Sequence, residues 1–450
     1  MNRCIWIVTG LLVLSIAAGD LFAKEKAGEV GQGAVYSVIE LTFEGPDLTP
    51  QDSPARDIDF WVRFRHRGGN PAYRVYGFWD GDGAGGNRGN VFKVRFCPTR
   101  PGRWVLEEVH SNRAGLDGQR QGDFVTATGS ANHGFWVVDS ASAGRRWYRR
   151  SDGSHQYIIG NTHYSFLSGY MHDGLPSGND IAADIEGNAA YFKKLRFGLS
   201  GDYYPNPKVK PFLDSLGHQT DRGDYSCRPN PTWFHNRVDL AVQTASAHDL
   251  IADLILAGPD TDESRSTLRA RYNHGDAGPF LKYIAARYGS YPNVWICLSN
   301  EYDIRVPNYS EEEIARFGEQ VRSFLPYPTP LSVHATPNVL WSQRFDQLPP
   351  WNDHQIIQKK LRHLTAAADV IQTVWQNPEG RKPRYKPTVN DELSYQGAGD
   401  HHNEGDTIEA MLGAFLGGGY GTTGSKPAGK RGQYFRGRFN PEVPDRKSVV

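Results

Sequence analysis

Apolar and polar side chains alternate along the first part of the chain. Three segments, 60–65, 91–96 and 103–108, set apolar residues two positions apart with polar residues between most of them. Glycine- and proline-rich stretches at 81–89 and 98–102 separate these segments. Because successive side chains of a β-strand point to opposite faces, this pattern predicts short strands packed as an antiparallel, immunoglobulin-like β-sandwich.

After Ser140 the pattern changes to short apolar runs that alternate with helical segments. The predicted strands are 156–161, 196–204, 250–257, 294–300, 331–335, 355–358 and 387–392. The predicted helices are 181–195, 233–249, 279–288, 311–324, 361–376 and 407–416, the last of which precedes a glycine-rich segment, 417–424. This succession is close to eight βα units, which predicts an α/β fold of the TIM-barrel type, a (β/α)8 barrel.

The two ends of the chain carry separate expectations. Arg3 and the apolar run 5–18 are typical of a signal peptide, because the run is shorter than the roughly 20 residues that span a membrane. We therefore expect a signal peptide at 1–23, a secreted or periplasmic protein, and no membrane span once the signal is removed. Residues 439–450 contain two prolines where an eighth helix is expected, so either that helix is missing or the chain is truncated.

The predicted sandwich therefore occupies residues 24–142, and the predicted barrel occupies residues 143–450. Lys plus Arg and Asp plus Glu both number 50, so the basic excess that nucleic-acid binding requires is missing. Aromatic residues make up 12% of the chain, which suits either sugar stacking or an aromatic core. Cys97 and Cys297 are expected to be buried small apolar residues, because the cysteine spacing fits no zinc site.

Two glutamates fall at the predicted ends of barrel strands, where the active sites of such barrels lie. The run 294–299 delivers Asn300 and Glu301 at the end of the fourth strand, and the run 387–391 delivers Glu392 at the end of the seventh. Glycoside hydrolysis needs one protonated carboxyl group and one carboxylate on either side of the scissile bond. Either glutamate alone is more often a solvated loop residue, but the pair predicts a glycosidase.

The pair also resembles a known group, the clan of retaining (β/α)8 glycosidases. In that clan the acid/base follows an Asn on strand four and the nucleophile ends strand seven, as Asn300, Glu301 and Glu392 do here. The resemblance implies that Asn300 bonds the sugar 2-hydroxyl, and that Tyr395 is a candidate for the tyrosine near the nucleophile. The segments 146–162, 295–303 and 330–335 are similar to secreted bacterial proteins with a sandwich of unknown function before an apiosidase-like barrel.

The chain departs from that pattern in two places. Apiosidase-type barrels carry Asp at the position of Glu301, so their substrate is not carried over. The end of strand eight, where the clan places a Trp, contains the glycine-rich segment 418–421. Five polar residues at predicted strand ends are candidates either for substrate contact or for a structural role at the top of the barrel: Asn161, His163, Asp202, Tyr203 and His334. Trp341, in the loop region after the fifth strand, is a candidate either for stacking on a sugar or for packing between loop and helix.

Other functions remain open at this point. The same fold without catalysis is a carbohydrate-binding protein, which retention of both glutamates argues against. A metal-dependent hydrolase is suggested by His401 and His402 but disfavoured because adjacent side chains point in different directions. No Gly-x-Ser-x-Gly turn indicates a serine hydrolase. We therefore expect a retaining O-glycosyl hydrolase with a carbohydrate substrate, no metal and no cofactor.

Overall fold

The computed structural model describes most of the chain between residues 27 and 426. The described ranges are 27–130, 132–142, 145–164, 167, 178–199, 209–220, 228–258, 266–268, 277–304, 309–337, 351–376, 386–397 and 402–426. The predicted signal peptide, the chain after residue 426 and the candidates Asp202, Tyr203 and Trp341 lie outside these ranges. Within them, no helix is long and apolar enough to cross a membrane.

The predicted N-terminal β domain is confirmed. Its elements are β1 (Glu29–Val35), β2 (Ile39–Leu48), α1 (Pro54–Asp57), β3 (Phe60–His66), β4 (Ala72–Trp79), β5 (Gly89–Phe96), β6 (Gly102–Ser111) and β7 (Phe124–Ser130). The strands pair in the order β1-β7-β6-β3-β4-β5-β2. Neighbouring strands are antiparallel as predicted, with one exception, since β1 and β7 run parallel.

Strand β4 joins the two layers of this domain. Its first residues pair with β3, whereas residues 77–79 pair with β5, so the chain changes sheets within one strand. Gly77 stands at that change because a Cβ there would lie 2.2 Å from the ring of Phe60. Phe64 and Phe96 stack with ring centroids 4.0 Å apart in the core between the layers.

A short hairpin connects this domain to the barrel. It consists of β8 (Trp136–Val138) and β9 (Tyr148–Arg150), and the predicted domain boundary at residue 142 falls in its loop. Tyr148 packs against Trp295 with ring centroids 4.7 Å apart. Because Trp295 lies near the start of the fourth barrel strand, the hairpin covers the N-terminal end of the barrel, opposite the end that carries active sites.

The predicted parallel barrel is also confirmed. Its eight strands in chain order are β10 (Ile159–Thr162), β11 (Lys194–Gly198), β14 (Ile251–Ala257), β15 (Val294–Ser299), β16 (Leu331–Ser332), β17 (Gln355–Ile357), β18 (Thr388–Gly397) and β19 (Tyr420–Lys426). Each neighbouring pair is parallel, and only the fifth and sixth strands are unpaired with each other in the described part of the chain. A small hairpin, β12 (Phe212–Leu213) and β13 (Gln219–Thr220), lies between the second and third strands.

Helices surround this barrel. They are α2 (Gly178–Ala189), α3 (three successive parts, Pro231–Trp233, the π-helical Phe234–Asp239, and Leu240–Ala247), α4 (Gly278–Tyr288), α5 (Glu311–Phe324), α6 (Leu364–Gln376) and α7 (Glu404–Leu416). Strands β14 and β15 are buried at every position, as expected of parallel strands covered on both faces. Helix α5 begins with a capping box in which Ser310 and Glu313 bond each other's backbone amides.

The two domains share a buried interface. Phe78 of β4 packs within the barrel core, edge-on to Tyr283 at 6.0 Å between ring centroids. Beside it lies a set of buried charges that we call the interface ion cluster: Asp80 and Arg95 of the sandwich with Asp239 and Arg287 of the barrel. Arg287 donates to Asp80 at 2.7 Å, and Arg95 donates to Asp239 at 2.5 Å.

Electrostatics holds this cluster in its charged form. Burial alone would raise the pKa of the Asp239 carboxyl group, but Arg287 and Arg95 outweigh it and lower the pKa to about 2. The pKa of Asp80 is also lowered, because Arg287, His235 and Lys93 together outweigh its burial. Both carboxylates are therefore paired with cations from the other domain, which fixes the two domains against each other.

Candidate active site

The fourth barrel strand presents Asn300 and Glu301. Asn300 is buried, and its backbone amide donates to the carbonyl of Ala257 on the third strand at 2.8 Å. Glu301 follows with a φ of 42°, a left-handed conformation that is uncommon for residues other than glycine. The next amide, that of Tyr302, donates to the carbonyl of His334 at 3.1 Å. Neighbouring strands therefore hold this strained turn in place, and strain of this kind is frequent at functional sites.

The sequence analysis placed Glu392 at the end of the seventh strand, and this placement is wrong. Strand β18 continues to Gly397, and its pairing with β19 shifts register between Asn390 and Ser394. Glu392 lies within this irregularity, and a β-bulge redirects the side chains that it contains. The correction concerns the local geometry, since Glu392 still follows the paired residues Val389 and Asn390.

Two side chains donate hydrogen bonds to the carboxylate of Glu392, which is itself buried. The hydroxyl of Tyr164 donates to Oε1 at 2.7 Å, and Nε2 of Gln358 donates to Oε2 at 2.7 Å. The predicted candidate Tyr395 lies one step further away, with its hydroxyl 3.3 Å from that of Tyr164. Burial and the carboxylate of Glu392 raise the pKa of Tyr164, so the phenol keeps its proton as a donor.

Arg196 of the second strand connects the two glutamate-bearing strands. Its Nη2 donates to Oδ1 of Asn300 at 2.6 Å and to Nδ1 of His334 at 2.9 Å. Its Nη1 donates to the hydroxyl of Tyr164 at 3.1 Å. Since its acceptors are Asn300, His334 and Tyr164, Arg196 fixes the orientation of Asn300, whose amide nitrogen is left to donate elsewhere.

His334, a predicted site residue on the fifth strand, is buried in this network. Burial and the charge of Arg196 lower the pKa of its imidazole well below the ordinary value, so it is neutral at neutral pH. Because Nδ1 accepts from Arg196, the ring proton belongs on Nε2. The ring also interacts with the side chain of Gln358, which donates to Glu392, so His334 belongs to the same network.

A second set of buried charges lies next to Glu392, and we call it the barrel ion cluster: Lys194, Arg196, Asp253 and Asp391. The ammonium of Lys194 donates to Asp391 and, at 3.1 Å, to Asp253. Burial opposes ionisation of Asp391, but Lys194 and Arg196 outweigh it and keep its pKa well below the usual range. Burial raises the pKa of Asp253, which shares the same lysine with Asp391.

The other described candidates, Asn161 and His163, lie at the end of the first barrel strand. Asn161 donates from Nδ2 to Oδ1 of Asn188 on α2 at 2.6 Å, so its side chain turns towards the helices. His163 is buried after the first strand, and its amide donates to the carbonyl of Arg196. The structure thus brings Glu392, Asn300, His334 and Tyr395 into one network, and does not bring Asn161 into it.

The sequence analysis missed Tyr164, Arg196 and Gln358. Gln358 could have been found from the sequence, because it is the last residue of the predicted sixth strand and active-site residues lie at such strand ends. Arg196 and Lys194 stand two positions apart in a short, buried strand, which indicates that both face the interior of a parallel barrel.

The disfavoured metal site rested on adjacent histidines. In the structure, Nδ1 of His402 pairs with the hydroxyl of Ser394. The described residues contain no group of three or more potential metal ligands. Cys97 and Cys297, the two cysteines among them, are buried, as predicted, and they are not bonded to each other.

Comparison with known families agrees with the resemblance seen in the sequence. Residues 204–423 match the family described as "Apiosidase-like, catalytic domain", and residues 32–108 match "Domain of unknown function (DUF5060)". No curated protein matches the chain significantly. The first of these matches covers most of the described barrel and supports a glycoside hydrolase.

Solved structures show the same architecture. The chain resembles a candidate glycoside hydrolase from Bacteroides vulgatus ATCC 8482 with a TM-score of 0.74 and 22% identity, over 93% of this chain and 77% of that one. A family 5 glycoside hydrolase from the same organism gives a TM-score of 0.46 at 14% identity, over 65% and 62% of the chains. An endo-β-1,4-mannanase from Thermotoga petrophila gives a TM-score of 0.46 at 13% identity, over 66% of this chain and 76% of that one. The first likeness establishes the fold.

Proposed function

We propose that this protein is a retaining glycoside hydrolase in which Glu392 is the nucleophile and Glu301 is the acid/base. The observation that carries the proposal is the environment of Glu392, a buried carboxylate with one donor on each oxygen, Tyr164 and Gln358. Such a carboxylate is oriented and ready to attack a carbon. Glu301 follows the fourth strand, and Arg196 links that strand's Asn300 to the same network.

The reaction proceeds by double displacement. In the first step Glu392 attacks the anomeric carbon, while Glu301 gives its proton to the leaving oxygen. Tyr164 and Gln358 hold the attacking group in line, which favours reaction by restricting its orientation. Asn300, turned by Arg196, offers its amide nitrogen to the 2-hydroxyl of the bound sugar. In the second step Glu301 removes a proton from a water molecule, whose oxygen attacks the anomeric carbon and displaces the Glu392 carboxylate, so the sugar is released with its original configuration.

The substrate is a poly- or oligosaccharide with an O-glycosidic bond. This follows from the proposed chemistry together with the apiosidase-like match. The charge-balanced composition gives no support to a nucleic-acid partner. The apolar run at 5–18 supports export from the cytoplasm, and a fusion of residues 1–23 to a reporter enzyme would test whether this segment directs secretion.

The test compares the parent with Glu301→Gln, Glu392→Gln and a control, Glu312→Gln, which changes an exposed glutamate of α5. Each is assayed on plant and microbial polysaccharides and on dinitrophenyl glycosides. We expect the control to match the parent and Glu392→Gln to be inactive on every substrate. Glu301→Gln should lose roughly 10²–10⁴-fold on polysaccharides, yet still release dinitrophenolate in the first turnover because that leaving group needs no proton.

Stereochemistry and binding distinguish the remaining alternatives. Proton NMR of the first product formed should show the substrate's anomeric configuration, and the opposite configuration would establish inversion instead. Retention also predicts carboxyl groups about 5–5.5 Å apart. If the parent cleaves nothing but binds glycans as tightly as both glutamine variants do, the protein is a carbohydrate-binding protein on this fold.

A further inference from the structure

Asp391, the residue before Glu392, is anchored from two other barrel strands. Its Oδ1 accepts a hydrogen bond from Lys194 of the second strand. The same oxygen accepts from the hydroxyl of Thr422, on the eighth strand, at 2.6 Å. All three side chains are fully buried. Asp391 therefore connects the strand that carries Glu392 to strands on both sides of the barrel interior.

This anchor acts where the backbone ladder is interrupted. The regular pairing of β18 with β19 stops at Asn390 and resumes at Ser394, so the intervening residues lack the register that fixes ordinary strands. Asp391 and Glu392 both lie in that interval. The bonds from Lys194 and Thr422 to Asp391 fix the chain at this point, where backbone pairing between β18 and β19 does not.

A second route connects Asp391 to Glu392 through side chains. Arg196 places Nε 3.7 Å from Oδ2 of Asp391. The same arginine donates to Tyr164, which donates to Glu392. Movement of Asp391 would therefore reach Glu392 both along the backbone and through Arg196 and Tyr164.

Lys194 is itself restrained, which makes it a rigid anchor. Asp253 on the third strand accepts from its ammonium at 3.1 Å, and the ammonium lies 5.7 Å from the centre of the Trp295 ring. Gly160 on the first strand leaves room for it, because a Cβ there would lie 3.0 Å from the Lys194 side chain.

We propose that Asp391, held by Lys194 and Thr422, is a positioning residue that sets the direction in which Glu392 attacks. This inference rests on the proposed function and extends it from the reacting groups to the charges beside them. Asp391 does not react. It aligns the bulge, and misalignment of a reacting group by about 1 Å is expected to lower the rate on the order of 10²-fold.

The test removes one hydrogen bond without removing a buried charge. Thr422→Val has the parent's shape but no hydroxyl, and Thr422→Ser restores the hydroxyl. The control is Thr388→Val on the same strand as Glu392, because the buried Thr388 hydroxyl has no hydrogen-bond partner among the described residues. Measurements are kcat and KM on the best glycoside, the pH profile of kcat/KM, and Tm.

We expect Thr422→Val to lower kcat about 10-fold with little change in KM, and to move the acid limb of the pH profile. Thr422→Ser should recover the parent's kcat, and Thr388→Val should keep it. A Thr422→Val enzyme whose Tm falls while kcat and the pH profile match the parent would show that Asp391 is merely structural. Asp391→Asn, measured where it folds, should lower kcat further than Thr422→Val, and a smaller loss contradicts the proposal.

The two proposals fail in different ways. If the parent is active and Glu392→Gln is inactive while Thr422→Val equals the parent, only the positioning role is wrong. If Glu392→Gln keeps the parent's activity, Glu392 is not the nucleophile and both proposals fall.

Discussion

The protein contains two buried ion clusters that have similar composition but differ in how many of their polar atoms form hydrogen bonds. The interface ion cluster and the barrel ion cluster each pair two cations with two aspartates. Within the described residues, every buried polar side-chain atom of the interface ion cluster has a partner. In the barrel ion cluster, Oδ1 of Asp253 has no hydrogen-bond partner, and Nε of Arg196 and Oδ2 of Asp391 have only the ion pair that they form with each other at 3.7 Å.

This difference indicates a division of roles. A fully paired buried cluster offers a ligand nothing, and its effect is to fix geometry. A cluster with unsatisfied atoms costs stability, a cost that natural proteins accept mainly at functional sites. The interface ion cluster therefore holds the domains together, whereas the barrel ion cluster supports chemistry. Each of the following changes tests one side of this contrast.

The largest effect on stability should come from Arg287→Met. This change leaves Asp80 and Asp239 buried without their shared partner, which should lower the free energy of unfolding by about 3–5 kcal/mol. The folded fraction should keep the parent's kcat, because Arg287 lies outside the Glu392 network. Urea unfolding and active-site-normalised assays measure the two quantities. Arg74→Met, on an exposed arginine, is the control, and a loss no greater than that of the control would remove the structural role of the cluster.

Arg196→Lys should lower activity more than stability, the opposite of Arg287→Met. Lysine keeps the charge but cannot reach Asn300, His334 and Tyr164 at once, because it lacks the planar fork of arginine. We expect kcat/KM to fall roughly 10²-fold, which is about 2.7 kcal/mol in transition-state stabilisation. Stability should fall less than in Arg287→Met. If the variant loses stability but retains the parent's kcat/KM, the barrel ion cluster has the same purely structural role as the interface ion cluster.

Acid should weaken the barrel interior before it weakens the interface. Burial lowers the pKa of His354, in the barrel interior beside Trp295, to about 3, against about 6.5 in an unfolded chain. Between these values the unfolded chain binds a proton that the folded protein excludes, so stability falls as pH decreases. Asp239, with a pKa of about 2, keeps its contribution until the pH falls below the unfolded value of about 3.9.

His354→Gln tests this order, because glutamine can still form a hydrogen bond with the hydroxyl of Tyr148 but does not titrate. Between pH 6 and 4.5 its unfolding free energy should decrease less steeply than the parent's, by about 1.4 kcal/mol per pH unit. His363→Gln changes an exposed histidine and should follow the parent. Equal slopes for His354→Gln and the parent would show that His354 is protonated in the folded state.

The smallest effect concerns the strained backbone of Glu301. Glu301→Gly and Glu301→Ala both remove the carboxylate, but only glycine adopts a φ of 42° without a steric penalty. The glycine variant should therefore be the more stable of the two by about 1 kcal/mol, measured by thermal unfolding. If alanine is equally stable, the turn carries no strain.

Sequence patterns were sufficient where local signals agree with each other. Helix α5 has the predicted bounds because a capping box and an amphipathic repeat coincide. Strand β14 was predicted within one residue, since a continuous apolar run between polar turns leaves little choice.

The prediction failed where tertiary contacts override local pattern. Strand β11 begins at Lys194 rather than Arg196, because its buried charges are neutralised by residues far along the chain. The bulge around Glu392 has no local signature either. Both glutamates could be proposed from their strand positions, but the roles of Tyr164 and Arg196 depend on pairing across the barrel, which a single sequence does not encode visibly.

The packing of Phe78 inside the barrel core limits how evolution can exchange these two domains. A gene rearrangement that gave the barrel a different N-terminal partner would expose the ring of Tyr283 to water. It would also strip Asp239 of Arg95, one of its two counter-charges. The two domains are therefore expected to be inherited together. The sandwich would then be a constant structural part of the protein rather than an exchangeable module.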